Sequence, residues 1–246
     1  MKKIIGVAAV AALLATGAAT SALAQCGTGV MIKFDADAFS YETSYNSATF
    51  ISSPGSVLSM VGIVDLFCAP FLDLDPNDPT TEYTFYITSL NSAGTVVSIN
   101  GPTTNYDTDY SGGTWEIHAG SPRNAPTAAG GMPALPSAQV PANFTDGPTI
   151  LSGTLSGFHV SVSKTNVGPT TIINGSFIAT YVTTGGTLVG RVGGGSAAFQ
   201  GNWCPTLQPT GCTPATYSAH PNGKWDTPGT TASLPSTWGR IKTLYR

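Results

Sequence analysis

Apolar and polar side chains alternate with a period of two along much of this chain, and this alternation restricts its fold more than any other feature. The clearest segments are residues 83–88, 114–119, 158–163 and 172–181. Successive side chains of a β-strand point to opposite faces of its sheet, so each segment predicts a strand with one buried face. The run from Val57 to Phe67 is apolar on both faces and predicts a central strand.

Turn signals rich in glycine, proline and asparagine separate these segments. They fall at residues 53–55, 91–94, 166–169, 185–186 and 193–195. Strands and turns at this spacing are typical of antiparallel sheets, and residues 91–94 predict a hairpin loop. We therefore predict an all-β chain, an antiparallel β-sandwich or jelly roll that forms one domain over residues 25–235.

Two stretches interrupt the alternation. Residues 120–148 are rich in Pro, Gly and Ala, and they predict either a long loop or a linker between two β halves. Residues 205–235 are rich in Pro, Thr and Gly. Apolar residues then recur at helical spacing, so residues 236–246 are expected to form a short C-terminal amphipathic helix.

Residues 1–24 have the three parts of a secretory signal peptide. Met1-Lys2-Lys3 is basic, the run from Ile4 to Leu14 is apolar, and Ala22-Leu23-Ala24 forms a small-residue cleavage site. The apolar run is shorter than the about 20 residues of a spanning helix. We predict cleavage, no transmembrane span afterwards, and a bacterial protein that is secreted, periplasmic or on the cell surface.

Charged residues are scarce, at 9% of the chain against roughly 25% in an average soluble domain. The formal net charge of −3 becomes −5 when Lys2 and Lys3 leave with the signal peptide. Proteins that bind nucleic acids usually carry a basic stripe. The composition therefore excludes a nucleic-acid partner and supplies few groups for acid–base catalysis.

The four cysteines, Cys26, Cys68, Cys204 and Cys212, are an even number in a chain that is predicted to be exported. Such a count indicates two disulfide bonds. A bond between Cys204 and Cys212 would close a short loop that contains Pro and Gly, which favours that pair. Cys26 then pairs with Cys68.

The densest acidic cluster contains Asp73, Asp75, Asn77 and Asp78. Calcium takes several oxygen ligands from one loop, and the spacing of the first three residues begins many calcium loops. The segment lacks the glycine and the glutamate that an EF-hand has at positions 6 and 12. Two interpretations remain open, a calcium site and a solvated acidic turn.

Glu116 and His118 are expected to share one face of a strand, where they can form half of a metal or acid–base site. The solvated face of an amphipathic strand explains the same pair. Trp115 and Trp225 are candidates for stacking on a sugar ring. Closure of the core is the alternative explanation for both indoles.

No catalytic or cofactor motif stands out, so we predict an exported, non-catalytic structural or binding module of the cell surface or the medium. Its partner would be a polysaccharide or another cell-surface component, with calcium as the one cofactor to consider. A secreted carbohydrate-active enzyme with a carboxylate pair is one alternative function. A calcium-dependent glycan-binding protein is the other.

Overall fold

In the computed structural model, the described residues are 26–35, 37–127, 142–207, 210–214 and 216–228. The predicted signal peptide, residues 1–24, and the predicted C-terminal helix, residues 236–246, lie outside the described residues. Parts of the two Pro-rich stretches, 120–148 and 205–235, also lie outside them.

Twelve strands and two short 3-10 helices form among these residues, which confirms the all-β prediction. Within the described part of the chain, no helix has the length and apolar character needed to cross a membrane. The 3-10 helices are Ala142–Phe144 and Val189–Arg191. The strands are β1 (Val30–Phe34), β2 (Ala38–Glu42), β3 (Tyr45–Asn46), β4 (Ile51–Ser52), β5 (Val57–Ile63), β6 (Leu66–Phe67), β7 (Glu82–Asn100), β8 (Thr103–Gly120), β9 (Thr149–Val167), β10 (Thr170–Gly185), β11 (Ser196–Cys204) and β12 (His220–Asp226).

Ten strands form one antiparallel sheet in the order β2-β5-β7-β8-β9-β10-β11-β12-β1-β6, and β3 pairs with β4. From β7 to β12 each strand pairs with the next one in the chain. These six strands form an antiparallel meander within one large curled sheet, in agreement with the predicted antiparallel all-β class. The sheet curls until β2 returns to the segment before β12, where the backbone N–H of Ser40 donates to the carbonyl of Ala219 at 3.0 Å.

Aromatic side chains on the inner face of the curled sheet form the core. The indole of Trp225 on β12 lies 5.2 Å from the ring of Phe85 on β7, measured between centroids, and 4.6 Å from Phe199 on β11. The strands β7 and β12 are far apart in the sheet order, so this contact crosses the interior. Each buried aromatic side chain removes about 150–250 Å² from water. These rings therefore hold the two sides of the curled sheet together.

The predicted hairpin loop at residues 91–94 is wrong. These residues lie inside β7, where the register with β8 shifts between Ser92 and Thr95. Such a bulge adds residues to one strand without ending it, and it uses the same small residues as a turn. The chain turns at Gly101 instead, with φ of 58°. The predicted turn at residues 166–169 is confirmed between β9 and β10.

The hairpins β7–β8 and β9–β10 extend beyond the rest of the sheet. The strand β5 pairs with β7 no further than Asn91, and β11 pairs with β10 only from Ser176. Residues 95–106 and 163–174 therefore continue as four strands with fewer neighbours. We call these two segments the distal sheet.

The described parts of the predicted long loop cover the outer face of β5 and β7. The side chain of Phe144 is buried there with Phe39 and Val61 in a second, smaller core. The hydroxyl of Thr84 donates to the carbonyl of Phe144 at 2.8 Å. Because β8 and β9, on either side of residues 120–148, pair directly, these residues do not separate two β halves, and the described parts of the segment pack against one continuous sheet.

Both predicted disulfide bonds are present. Cys26 is bonded to Cys68, with their Cα atoms 5.6 Å apart, and Cys204 to Cys212, with 6.3 Å between Cα atoms. The first bond joins the segment before β1 to the residue after β6. The second closes the loop that follows β11.

Candidate functional site

Glu116 and His118 lie beside each other on the outer face of β8, as the alternation predicts. The Nε2 atom of His118 is 3.1 Å from the Glu116 carboxylate, and its Nδ1 atom is 3.3 Å from the carbonyl oxygen of Gly147. His118 is buried, whereas the Glu116 side chain is 44% exposed. Both ring nitrogens of His118 are therefore engaged. The pair fastens the segment before β9 to β8.

Trp115 and Trp225 do not lie with that pair. Both indoles are fully buried on the inner face of the sheet, with centroids 6.2 Å apart. Tyr181 contacts Trp115 edge to face at 5.4 Å. Neither indole has a face available for a sugar ring, so the structure supports their alternative role as core residues.

The acidic segment before β7 folds into local turns. The Asp75 carboxylate accepts the backbone N–H of Asn77 at 2.9 Å. The Asp78 carboxylate accepts the backbone N–H and the hydroxyl of Thr80, each at 2.7 Å. These hydrogen bonds, led by the one from the Thr80 hydroxyl, hold the pKa of Asp78 below its usual range. The carboxylates are used to shape the loop.

Asp73, the first residue of the candidate calcium loop, is paired with Arg191 at 2.6 Å. The hydrogen bond from this guanidinium lowers the pKa of Asp73. Across the described ranges, no three Asp, Glu, His or Cys side chains are grouped so that they could hold a metal ion. The calcium site therefore stays a prediction that the geometry of this loop does not favour.

A second polar cluster lies on the outer face where the distal sheet begins. His159 Nδ1 is 2.8 Å from the Asp109 carboxylate, and Ser161 donates to Asp107 at 2.6 Å. A nucleophilic serine needs its hydroxyl beside a base such as an imidazole. Here the hydroxyl proton is directed at a carboxylate, so the cluster lacks the geometry of a catalytic triad.

Glu42 is a buried glutamate that sequence reasoning missed as a site, with 4% of the residue exposed. Tyr110 donates to its Oε2 atom at 3.0 Å, and Ser52 donates to Oε1. The Ser52 hydroxyl also lies 2.6 Å from the hydroxyl of Ser92. A chain of hydroxyl groups therefore connects a buried carboxyl group on β2 to the bulge in β7.

Burial raises the pKa of Glu42, because the charged carboxylate loses its water. The hydrogen bonds from Ser52 and Tyr110 oppose that shift. Burial, and then the charge of Glu42, raises the pKa of Tyr110 as well. The alternation of β2 predicts that Glu42 points to the inner face of the sheet. Phe39 and Tyr41 pack on the second core at the outer face, and Glu42 lies an odd number of positions from each of them.

Asp65 is a further carboxyl group with a shifted pKa. Loss of water around the group, and then the charges of Asp35 and Asp37, raise the pKa of Asp65 to about 6. Asp65 is exposed as a whole residue and lies in the bend between β5 and β6, whereas Asp35 and Asp37 lie in the connection between β1 and β2. The negative charges of Asp35 and Asp37 therefore disfavour the charged form of Asp65.

The glutamates do not form the facing pair that glycoside hydrolysis needs. The Glu42 carboxyl group lies in the interior and Glu116 on the outer face. Glu82 is 2% exposed, and its Oε1 atom accepts the backbone N–H groups of Asn124 and Ala125 at 2.6 and 2.8 Å. Each of the three holds a different part of the fold.

Exposed apolar side chains are concentrated in the distal sheet. Five of the nine large hydrophobic side chains that are exposed among the described residues lie there. Ile99 is the most exposed, at 77%. The others are Val96, Val97, Val167 and Ile172. A concentration of exposed apolar side chains in one part of a protein is typical of an interaction site, so the distal sheet is the candidate functional site.

Register assigns these side chains to the two faces of the distal sheet. Val97 pairs with Tyr106, whose ring packs edge to face on Phe50 at 5.6 Å, so this row continues the inner, core-facing side. Ile99 lies on the same face. Val96, which pairs with Asp107, lies on the outer face. The distal sheet therefore exposes apolar groups on both sides.

The sequence held one signal for this surface. Residues 83–106 contain no charged side chain, although a solvated hairpin normally carries several. This absence does not by itself identify the surface, because the lengths of the strands decide which residues extend beyond the body, the curled part of the sheet outside the distal sheet. That length depends on pairing with β5 and β11.

A scan against models of protein families, a search of curated proteins and a search of solved structures each found no match to this chain.

Proposed function

We propose that this chain is an exported, non-catalytic module that acts by binding, and that the distal sheet is its binding surface. The proposal is carried by one observation, the exposure of Val96, Val97, Ile99, Val167 and Ile172 on four projecting strands. Its partner is a component of the cell surface or another exported molecule.

The disposition of the polar groups supports a binding role. Glu82, Glu116 and Asp73 are each engaged by a backbone or side-chain partner that fixes a loop. The buried Glu42 carboxyl group is enclosed by hydroxyl groups and faces the interior. These groups stabilise the structure, and they leave the apolar strands of the distal sheet as the distinctive exposed surface.

Export is supported by the signal-like residues 1–24 and by two disulfide bonds. Disulfides persist in oxidising compartments and are rare in the cytosol. Expression of the complete chain in a bacterium, followed by fractionation and N-terminal sequencing, tests this part. We expect the mature protein outside the cytoplasm with Gln25 as its first residue. Full-length protein that stays in the cytoplasm would contradict export.

The binding role is tested by sedimentation of the purified mature protein with isolated cell envelopes. The double variant Val167→Ser and Ile172→Ser removes apolar groups from the second hairpin of the distal sheet. We expect it to pellet at least about tenfold less well than the parent protein. Leu72→Ser is the matched control, because Leu72 is 57% exposed, close to the 56% of Val167, but lies outside the distal sheet. Equal pelleting of all three proteins contradicts the proposal.

A further inference from the structure

The outer edge of β7 is open at the end of the strand. Residues 96–100 pair with β8 on one side, and among the described residues no strand pairs with their other side. Up to Thr95 the edge is covered, since the Ser52 backbone N–H donates to the Thr95 hydroxyl at 2.7 Å. Backbone N–H and C=O groups along such an edge are ready to pair with another strand.

This edge lacks the features that normally prevent pairing. Proteins protect edge strands with charged side chains, proline or very short strands. At one end of the main sheet, β6 has two residues, and the open edge of β10 begins directly after Pro169. Residues 96–100, by contrast, are Val-Val-Ser-Ile-Asn, with no charge and no proline. Two of them, Val96 and Ile99, are 68% and 77% exposed.

We propose that a second copy of this chain pairs with this edge, so that two β7 strands run antiparallel about a two-fold axis. The inference rests on the proposed function and names one partner of the distal sheet. The register that uses all five open residues places Ser98 on the axis. Val97 then lies opposite Ile99 of the second copy, and this pair occurs twice. β-branched apolar pairs of this kind stabilise adjacent strands.

The two-fold arrangement follows from the shape of the molecule. Suppose that the open edge of β7 paired with the open edge of β10 in a neighbouring copy. The two copies would then lie side by side, with their bodies next to each other. Within the body, β5 already occupies the position next to β7, and β11 the position next to β10. The bodies would therefore collide. Antiparallel pairing of β7 with β7 places the two bodies at opposite ends of an eight-stranded distal sheet.

Charge also favours a second copy over a charged partner. Residues 83–106 carry no charge, so two copies meet here without local repulsion, although the net charge of each chain is −3, or −5 after removal of residues 1–24. The apolar inner rows, Val97 and Ile99, meet each other across the axis. An acidic or basic partner would find no opposite charge on this edge.

A cysteine at Ser98 tests the register directly. Directly opposite residues in antiparallel strands have Cα atoms about 4.5–5.5 Å apart. That distance lies within the about 4.4–6.8 Å of disulfide bonds. The native cysteines are all bonded, so a new thiol is the reactive one. We expect the mature S98C protein to form disulfide-linked dimers under mild oxidation.

Asn100→Cys is the matched control for the cross-link. In the proposed register Asn100 lies opposite Val96 of the second copy, so the two Asn100 residues are four positions apart along the strands, or about 13 Å. We expect little cross-linking of N100C. Equal cross-linking of both variants, or none of S98C, would overturn the proposed pairing.

Sedimentation velocity of the mature protein supplies the second measurement. We expect a concentration-dependent dimer, and we expect Ile99→Lys to weaken it by at least about tenfold because like charges meet across the axis. Ile172→Lys, on the other hairpin, should leave the dimer intact. A protein that is monomeric at every concentration, or a dimer lost only in I172K, overturns the inference. Envelope binding that persists in monomeric I99K would leave the proposed function standing.

Discussion

Glu42 is a buried carboxyl group that accepts hydrogen bonds from the hydroxyl groups of Ser52 and Tyr110. Its raised pKa means that the folded state binds a proton more tightly than the unfolded chain. The folded state is therefore favoured at low pH, and this contribution is lost as the pH rises from the ordinary value of 4.5 through the raised one. Asp65, with a pKa of about 6, contributes in the same direction.

We predict that Glu42→Gln removes part of this pH dependence. An amide keeps an oxygen that can accept from Tyr110 or Ser52, and it carries no charge to bury. Urea unfolding of both proteins from about pH 4 to about pH 8 checks it. The stability of the parent protein should fall more steeply with pH than that of the variant. Glu116→Gln, which keeps Glu42, should follow the parent protein; parallel curves for E42Q and parent would contradict the assignment.

A glycine in β5 gives a second test at this scale. A Cβ atom at Gly62 would lie 2.6 Å from the Cζ atom of Phe85 and 2.8 Å from the Cβ atom of Ala38. We predict that Gly62→Ala lowers the free energy of unfolding by about 1–3 kcal/mol, because the core ring must move. Gly193→Ala is the control, since no atom lies within 4 Å of its Cβ position. Equal urea midpoints for the two variants would be inconsistent with this packing.

The sequence alone is sufficient to predict which side chains point to the inner face of the sheet, but not which other side chains they contact there. The parity of Phe39 and Tyr41 places Glu42 on the inner face. Its partners Ser52 and Tyr110 come from β4 and β8, and nothing local in the sequence connects them. Likewise, the alternation separates Trp115 from Glu116 and His118, whereas only the curled sheet places Trp115 beside Trp225.

At the scale of elements, the strands and most turns were predictable because both have local causes. The segment 158–163 alternates as a strand should, and residues 166–169 contain the Gly and Pro of a turn. The bulge at residues 92–95 was not predictable. Its small residues fit a turn equally well, and only pairing with β8 decides between them. Because residues 92–95 form a bulge and not a turn, β7 continues to Asn100 and the distal sheet can form.

Glu82 holds the segment that covers β7, and its loss should expose that segment to protease. The carboxylate accepts two backbone N–H groups, from Asn124 and Ala125. Glu82→Ala leaves both without this partner, which costs about 1 kcal/mol or more. We predict that trypsin then cuts after Arg123 at least about fivefold faster, as followed by mass spectrometry of the fragments.

Glu82→Gln is the control for that experiment, because its amide oxygen can still accept from one or both N–H groups. Cleavage after Arg191, which lies outside the covering segment, gives an internal reference in the same digest. If Arg123 is cut at one rate in the parent protein, E82A and E82Q, the carboxylate does not hold the segment.

For the whole molecule, the two disulfide bonds should contribute unequally. Cys26–Cys68 closes a loop with a sequence separation of 42, and Cys204–Cys212 one of 8. A disulfide stabilises mainly by restricting the unfolded chain, more for longer loops. Replacing Cys26 and Cys68 with Ser should cost about 4 kcal/mol, and replacing Cys204 and Cys212 about 2.5 kcal/mol. Urea unfolding of the double variants measures both; a larger loss from the shorter loop would contradict this ranking.

The all-β antiparallel class follows from alternation and turns, but closure of the sheet does not. Closure brings Ser40 into hydrogen-bonding contact with Ala219, two residues that are 179 positions apart in the sequence. The curled body uses the buried aromatic rings and carboxyl groups for its own stability. Among the described residues, the distal sheet projects from that body and carries five of the nine exposed large apolar side chains.

Hydrogen exchange of the mature protein, free and bound to isolated cell envelopes, tests that assignment most directly. Backbone amides that become covered exchange more slowly, and peptide mass spectrometry locates them. The account predicts new protection in residues 95–106 and 163–174, with little change near Glu116 and His118. Protection confined to the face of Glu116, or to the acidic segment 73–78, with none in the distal sheet, would contradict it.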